Sequence, residues 1–218
     1  MKKTLLVLGA TGQVGAQVLR LALADDRVGR VVAPTRRPLS AREAFGPRLE
    51  NPVVDFESLP GQADWWRADA AICALGTTMR LAGSREAFAR VDRDYVVESA
   101  RRARAAGTPA FGLNSSLGAD PASRNFYLRI KGEAERDVAG LGFESLTIVR
   151  PSLLEAARRP DFRPGEAAGL LVARLLGPLV PRRYRPVRTE AVARALLEAA
   201  LRAEPGTRFI ESGSLGRG

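Results

Sequence analysis

Short apolar runs alternate with longer stretches of helical periodicity along this chain. Thr4–Leu8, Arg30–Ala33, Pro52–Asp55, Ala70–Leu75, Pro109–Asn114 and Ser145–Arg150 read as strands, brief and apolar on both faces. Gly12–Ala24, Ser84–Ala106 and Ser123–Leu141 read as helices. In the second of these, Phe88, Val91, Tyr95, Val96 and Ala100 recur near helical spacing, and Gly107 and Pro109 end it. Strands that are apolar on both faces and alternate with helices predict a parallel sheet covered on both sides. Right-handed crossovers then make the expected fold an α/β, doubly wound sheet. After Pro151 the rhythm breaks. Proline and arginine punctuate Arg158–Pro164 and Pro178–Pro186, with helices predicted at Glu166–Leu176 and Thr189–Ala203. The expectation is one domain over residues 1–218, with 151–218 a small region leaning over the strand ends on the substrate side.

Composition narrows the chemistry. The chain contains no histidine, which excludes Ser-His-Asp and Cys-His catalysis and removes the usual zinc and iron ligand. Cys73 is the one cysteine, so no intrachain disulfide can form. The net charge of +10 comes almost wholly from arginine and is spread along the chain rather than blocked into a tail. It would attract polyanions weakly, but no helix-turn-helix signature, zinc-ligand spacing or aromatic-basic platform turns that into specific nucleic-acid recognition. Leu5–Leu8 follows two lysines but meets Gly9 at once, so it reads as a first strand rather than a signal peptide. Ala167–Val180 is too short to span a membrane and carries Arg174, Gly177 and Pro178. A cytoplasmic protein is expected.

The first strand runs straight into Gly9-Ala10-Thr11-Gly12-Gln13-Val14-Gly15, which opens the first helix. Gly9 permits a tight turn, Gly12 lets the backbone approach a pyrophosphate, and Gly15 allows close helix–strand packing. The helix N-terminus adds free N–H groups and a positive dipole end. This is the dinucleotide-binding pattern of a Rossmann-type fold. NAD-binding versions place a carboxylate at the end of strand two to accept the ribose hydroxyls. Here that place reads Thr35-Arg36-Arg37-Pro38. An acid would repel a 2′-phosphate and a guanidinium binds it in a fork, so Arg36 and Arg37 point to NADP(H). Asp55-Phe56 ends strand three, where an adenine edge could be contacted, although the pair serves equally as a capping residue and a core ring. Leu75-Gly76-Thr77 ends strand four, where a glycine lets backbone lie along the cofactor.

Lysine is scarce, at positions 2, 3 and 131. Tyr127 and Lys131 stand four apart on one predicted helix face, with Ser115 and Ser116 just upstream at the end of strand five. A free phenol titrates near pH ~10. A neighbouring ammonium lowers that value and suits Tyr127 to general acid/base work. A serine hydroxyl can hold a substrate carbonyl while a nicotinamide delivers hydride. Ser115 and Ser116 are adjacent and point to opposite faces, and the pattern leaves open which one does so.

These residues resemble the short-chain dehydrogenase/reductases in their atypical, NmrA-like branch. More closely, Cys73-Ala74-Leu75-Gly76-Thr77-Thr78, Val91-Asp92-Arg93-Asp94-Tyr95, Ser115-Ser116-Leu117-Gly118-Ala119-Asp120 and Tyr127-Leu128-Arg129-Ile130-Lys131-Gly132-Glu133 are similar to the Tat-interactive-protein group of oxidoreductase homologues. Arg150-Pro151-Ser152-Leu153-Leu154 and Arg163-Pro164-Gly165-Glu166 extend the likeness. The resemblance implies bound NADP(H), Tyr127 as proton donor with Lys131 beside it, and cofactor contacts at Leu154 and Arg163. Three functions fit: an oxidoreductase acting on a small carbonyl or alcohol, an NADP(H) sensor that acts on a protein partner, or an epimerase that uses held cofactor. The sequence leaves the oligomeric state open.

Overall fold

The computed structural model describes residues 1–39, 46–155 and 181–215. Strands β1 (Lys3–Leu8), β2 (Val28–Val32), β3 (Leu49–Glu50), β4 (Ala70–Cys73), β5 (Ala110–Asn114) and β6 (Ser145–Arg150) follow one another with helices between most of them. A short ribbon pairs β7 (Leu154–Glu155) with β8 (Val187–Arg188), and β9 (Gly206–Glu211) closes the series. The main sheet has the order β3-β2-β1-β4-β5-β6-β9, and all its neighbouring strands run parallel. This is the doubly wound Rossmann-like arrangement that the alternating pattern predicts.

The strands are buried on both faces because helices cover both. Leu5 and Val7 of β1 pack with Val14 and Val18 of helix α1 (Gln13–Ala24), while Leu6 and Leu8 join Phe111, Leu113 and Trp66 on the opposite side. That two-residue alternation, apolar both ways, explains the unbroken apolar run in the sequence.

Three stretches differ from the pattern-based expectation. The third strand was expected over Pro52–Asp55, but the ladder holds at Leu49–Glu50 and resumes only as a bridge between Thr35 and Val53. Pro52 has no N–H to give, which interrupts regular pairing. The single helix expected over Ser84–Ala106 is three pieces. After a short α2 (Met79–Ala82), α3 (Arg85–Ala89) passes through a π-helical turn, Arg90–Asp94, into α4 (Tyr95–Ala105). The third expected helix begins at Phe126, where Asn125 caps it by accepting from Leu128 N at 3.3 Å, giving α5 (Phe126–Ala139).

Of the region after Pro151, the described residues from Thr189 to Glu211 belong to the central sheet and its cover. Helix α6 (Thr189–Arg202) packs against α1 and β5, and β9 lengthens the sheet beside β6. Helix α6 and strand β9 thus build the central domain instead of leaning over the strand ends. Leu196 and Leu197 are buried there with Val18 and Leu19. The expected helix Glu166–Leu176, the Ala167–Val180 run and Arg163 lie outside the described residues.

Candidate functional site

Because the sheet is parallel, the carboxyl ends of β1, β2, β4 and β5 open along one edge, where ligands of such folds bind. The loop after β1 is built from its glycines. Gly9 has φ +82°, and a Cβ there would lie 2.6 Å from the Ala74 carbonyl carbon. A Cβ on Gly15 would come within 2.0 Å of Gly9 O, so no side chain fits while α1 meets the strand this closely. Gly12 donates its N–H to Gly9 O at 3.0 Å and starts α1 without a side-chain cap. The first-turn donors are therefore left for an anion. Ala10 and Val14 are buried and anchor the loop, whereas Thr11, Gly12 and Gln13 form its exposed crest. That crest fits a pyrophosphate.

Beyond β2, Arg36 and Arg37 are exposed and make no ion pair or hydrogen bond through their guanidinium groups among the described residues. Elsewhere arginines find acids: Arg27 meets Glu198 at 2.6 Å, and Arg150 meets Glu135 at 2.5 Å. Asp55 accepts from Glu57 N at 2.9 Å as a turn cap, and the buried Phe56 ring packs 5.7 Å from Tyr95.

The chemical centre contains a residue that the motif reading passed over. Lys131 is buried, and its Nζ lies 2.7 Å from Oδ1 of Asp92, itself 1% exposed. The other Asp92 oxygen accepts from Thr77 N at 2.8 Å. Gly76 closes over this pair, and a Cβ there would sit 3.2 Å from Asp92 Oδ1 and 3.5 Å from Lys131 Nζ. The chain after β4 is thus locked to α5 through one carboxylate. Burial works against the Lys131 ammonium, but the charges of Asp92 and Tyr127 outweigh it and hold its pKa above the ordinary lysine value. Asp92 sits in the π-helical turn, a local insertion often found at functional sites. A signal for it exists in the sequence: Phe88, Asp92 and Val96 are spaced by four, which places an acid on a buried helix face.

Tyr127 precedes Lys131 by one turn of α5 and is 37% exposed, its ring 5.6 Å from that of Phe88. Strand alternation separates the two serines. Phe111 and Leu113 point to the side covered by α4, while Gly112 faces Leu196 of α6. Ser115 therefore continues on the Phe111–Leu113 side. It is buried, and its Oγ has no hydrogen-bond partner among the described residues. Ser116 turns the other way, its Oγ reaching Leu117 O at 3.4 Å. Cys73, buried beside Lys131 and Asp92, is pushed up to about 12 by burial and stays a thiol. Leu154 lies in the β7–β8 ribbon against the α1 side of the core. The structure thus joins the glycine loop, Leu75, Gly76, Thr77 and Lys131 into one wall. Among the described residues no cluster could hold a metal ion, and no helix is long and apolar enough to cross a membrane.

The comparisons with known proteins agree with this geometry. A family model described as NAD(P)H-binding matches residues 9–202. Protein HTATIP2 of Rattus norvegicus is 41% identical over 165 residues, covering 75% of this chain and 67% of that protein. The mitochondrial protein fmp52 of Aspergillus clavatus is 34% identical over 216 residues, covering 92% of this chain and 88% of its own length. Among solved structures, MoeE5 in complex with UDP-glucuronic acid and NAD superposes with a TM-score of 0.71 at 20% identity, over 94% of this chain and 75% of that one. The UDP-glucuronic acid 4-epimerase of Bacillus cereus in complex with NAD gives 0.68 at 13%, over 95% and 78%. These last two share the fold. The family match and the rat relative go further, and the chain belongs to the NAD(P)H-binding family as a homologue of the Tat-interactive protein.

Proposed function

We propose that this protein is an NADP(H)-dependent oxidoreductase that reduces a small carbonyl compound, or oxidises the corresponding alcohol, with Tyr127 as general acid/base. The observation that carries the reading is the buried Ser115 hydroxyl just past the end of β5, without a hydrogen-bond partner among the described residues, upstream of the α5 turn that carries Tyr127 and Lys131. A buried polar atom without a partner is costly, and a substrate oxygen would satisfy it. The glycine crest would hold the pyrophosphate, Arg36 and Arg37 the 2′-phosphate, and Leu75 to Thr77 the stretch between.

When bound, the dinucleotide supplies or accepts the hydride. Ser115 donates a hydrogen bond to the carbonyl oxygen and holds it near Tyr127. As negative charge gathers on that oxygen, the Tyr127 hydroxyl gives it a proton, and the phenolate is reprotonated from solvent through its exposed side. Lys131 keeps a cation near the phenol, and Asp92 fixes its position. In the reverse direction the phenolate takes the alcohol proton.

One observation favours a second reading. Lys131 is already paired with Asp92 at 2.7 Å inside the fold, so its ammonium also has a structural role that needs no turnover. An NADP(H) sensor acting on a protein partner would need no tuned phenol. The test follows NADPH oxidation across small aldehydes, ketones and quinones, then compares Tyr127→Phe on an active substrate. A positioned acid is worth about 10²–10⁴ in rate, so the variant should lose that much turnover while its NADPH affinity changes little. Wild-type turnover by Tyr127→Phe would remove the proton donor. Tight NADPH binding with no substrate across a broad screen would favour the sensor.

A further inference from the structure

The exposed arginines stand on a short loop whose shape is set by one side chain. Asn51 follows β3 and spends every polar atom on the segment after β2. Its Nδ2 donates to Ala33 O at 2.6 Å and to Thr35 Oγ1 at 2.8 Å, while its Oδ1 accepts from Leu39 N at 2.8 Å. The orientation of the amide follows from its partners, because Ala33 O can only accept and Leu39 N can only donate. Asn51 therefore ties together the two ends of the stretch that holds Arg36 and Arg37. Thr35, 4% exposed, carries the tie inward, for its hydroxyl donates to Arg37 O at 2.6 Å. Its backbone is held as well, with Thr35 N on Pro52 O at 3.0 Å and Val54 N on Thr35 O at 2.9 Å.

We infer that Asn51 is a positioning residue for cofactor choice: through Thr35 and Leu39 it holds the Arg36–Arg37 turn in the shape that receives a 2′-phosphate. This inference rests on the NADP(H) reading above. Its physical content is entropic. Two exposed arginines on a free loop would have to be ordered by each incoming phosphate, whereas a backbone already clamped at residues 33, 35, 37 and 39 removes that cost. A dinucleotide without the 2′-phosphate does not engage the arginines and gains nothing from the clasp.

The test measures NADPH and NADH affinities by calorimetry for wild type, Asn51→Ala, Thr35→Val and Arg36→Ala/Arg37→Ala, with thermal melts of each. Asn51→Ala should weaken NADPH about tenfold, equivalent to roughly 1.4 kcal/mol, and leave NADH nearly unchanged. Thr35→Val keeps the Asn51 bonds to Ala33 and Leu39 but removes the hydroxyl that links Asn51 to Arg37 O, so its loss should be smaller but of the same kind. It also serves as the deciding variant if Asn51→Ala does not fold. If the double arginine variant loses its NADPH preference and both clasp variants keep theirs, the inference is overturned while the cofactor reading stands. An equal fall in both affinities, in step with a lower melting temperature, overturns it too, since Asn51 would then only support the fold. Equal NADPH and NADH affinities in the wild type would overturn the cofactor reading and the clasp together.

Discussion

The candidate site has two cationic ends, and they are built on opposite principles. Arg36 and Arg37 are exposed, with no acid bound to either guanidinium among the described residues. Lys131 is buried and already neutralised by Asp92 at 2.7 Å. Desolvation explains the contrast. A charge left in water costs little while it waits for a ligand, whereas an unpaired ammonium inside the protein costs several kcal/mol. A cation used deep in the fold must carry its counter-ion, and Asp92 is that counter-ion. The exposed end can leave its counter-charge to the ligand. The two ends should therefore respond differently to mutation, pH and salt.

The largest difference should appear in stability. Asp92→Ala leaves a buried ammonium with no partner, a change worth about 3–5 kcal/mol in comparable sites, and it also releases Thr77 N. Asp92→Asn should cost less, because an amide oxygen can still accept from Thr77. Arg36→Ala should change stability little, as exposed substitutions away from caps and strained turns do. Urea unfolding of the three variants measures this. Equal midpoints for Asp92→Ala and Arg36→Ala would break the comparison.

Alkaline pH should give the next largest effect. Lys131 has its pKa raised above 10.5, despite burial, by Asp92 and Tyr127. Tyr95 is pushed up to about 12, first by burial and then by Glu57, to which its hydroxyl donates at 2.6 Å. Both groups hold their proton more tightly folded than unfolded. The stability they contribute is complete below their ordinary values and is lost as pH rises through the folded ones. Melting temperature should thus fall as pH climbs from 10.0 toward about 12. Tyr95→Phe and Asp92→Asn should each remove part of the slope. A flat profile through that window would show that neither group is held as the structure has it.

The same contrast separates what could be read from the chain. The glycine loop, the alternation of strands and helices and the Tyr127–Lys131 turn were legible because each rests on local rules: spacing, turn chemistry and helix period. Asp92 was not, because an acid in a helical stretch ordinarily faces water. Its spacing of four from Phe88 and Val96 marks the buried face, but the π-helical turn and the approach of α5 are what bring it to Lys131. Asn51 was hidden for a similar reason, since its partners lie 12 to 18 residues away in sequence. Which side each serine faces needed the true end of β5 and the packing of Gly112 against α6. Strand β9 was missed because its pairing with β6 is non-local and its first four residues are exposed. The sequence therefore carries the scaffold and the parts that touch its own neighbours in the chain. The long-range clasps that orient those parts come from the fold.

Salt gives the smallest effect and the finest distinction. Charges in water are screened over about 10 Å at 0.1 M ionic strength and about 3 Å at 1 M, while a buried pair scarcely feels the change. An exposed pair of arginines holding a 2′-phosphate should therefore weaken as salt rises. Between about 0.05 and 0.5 M salt, NADPH affinity should fall several-fold further than NADH affinity, whose pyrophosphate meets backbone N–H groups instead. Arg36→Ala/Arg37→Ala should bring the two salt slopes together. The stability difference between wild type and Asp92→Ala, measured over the same range, should stay constant, because Asp92 and Lys131 are 1% and 9% exposed at their side chains. Parallel NADPH and NADH slopes in the wild type would mean that the 2′-phosphate is not held by the exposed arginines. A strong salt dependence of the Asp92→Ala difference would mean that water reaches the buried pair, and the two ends would then be alike.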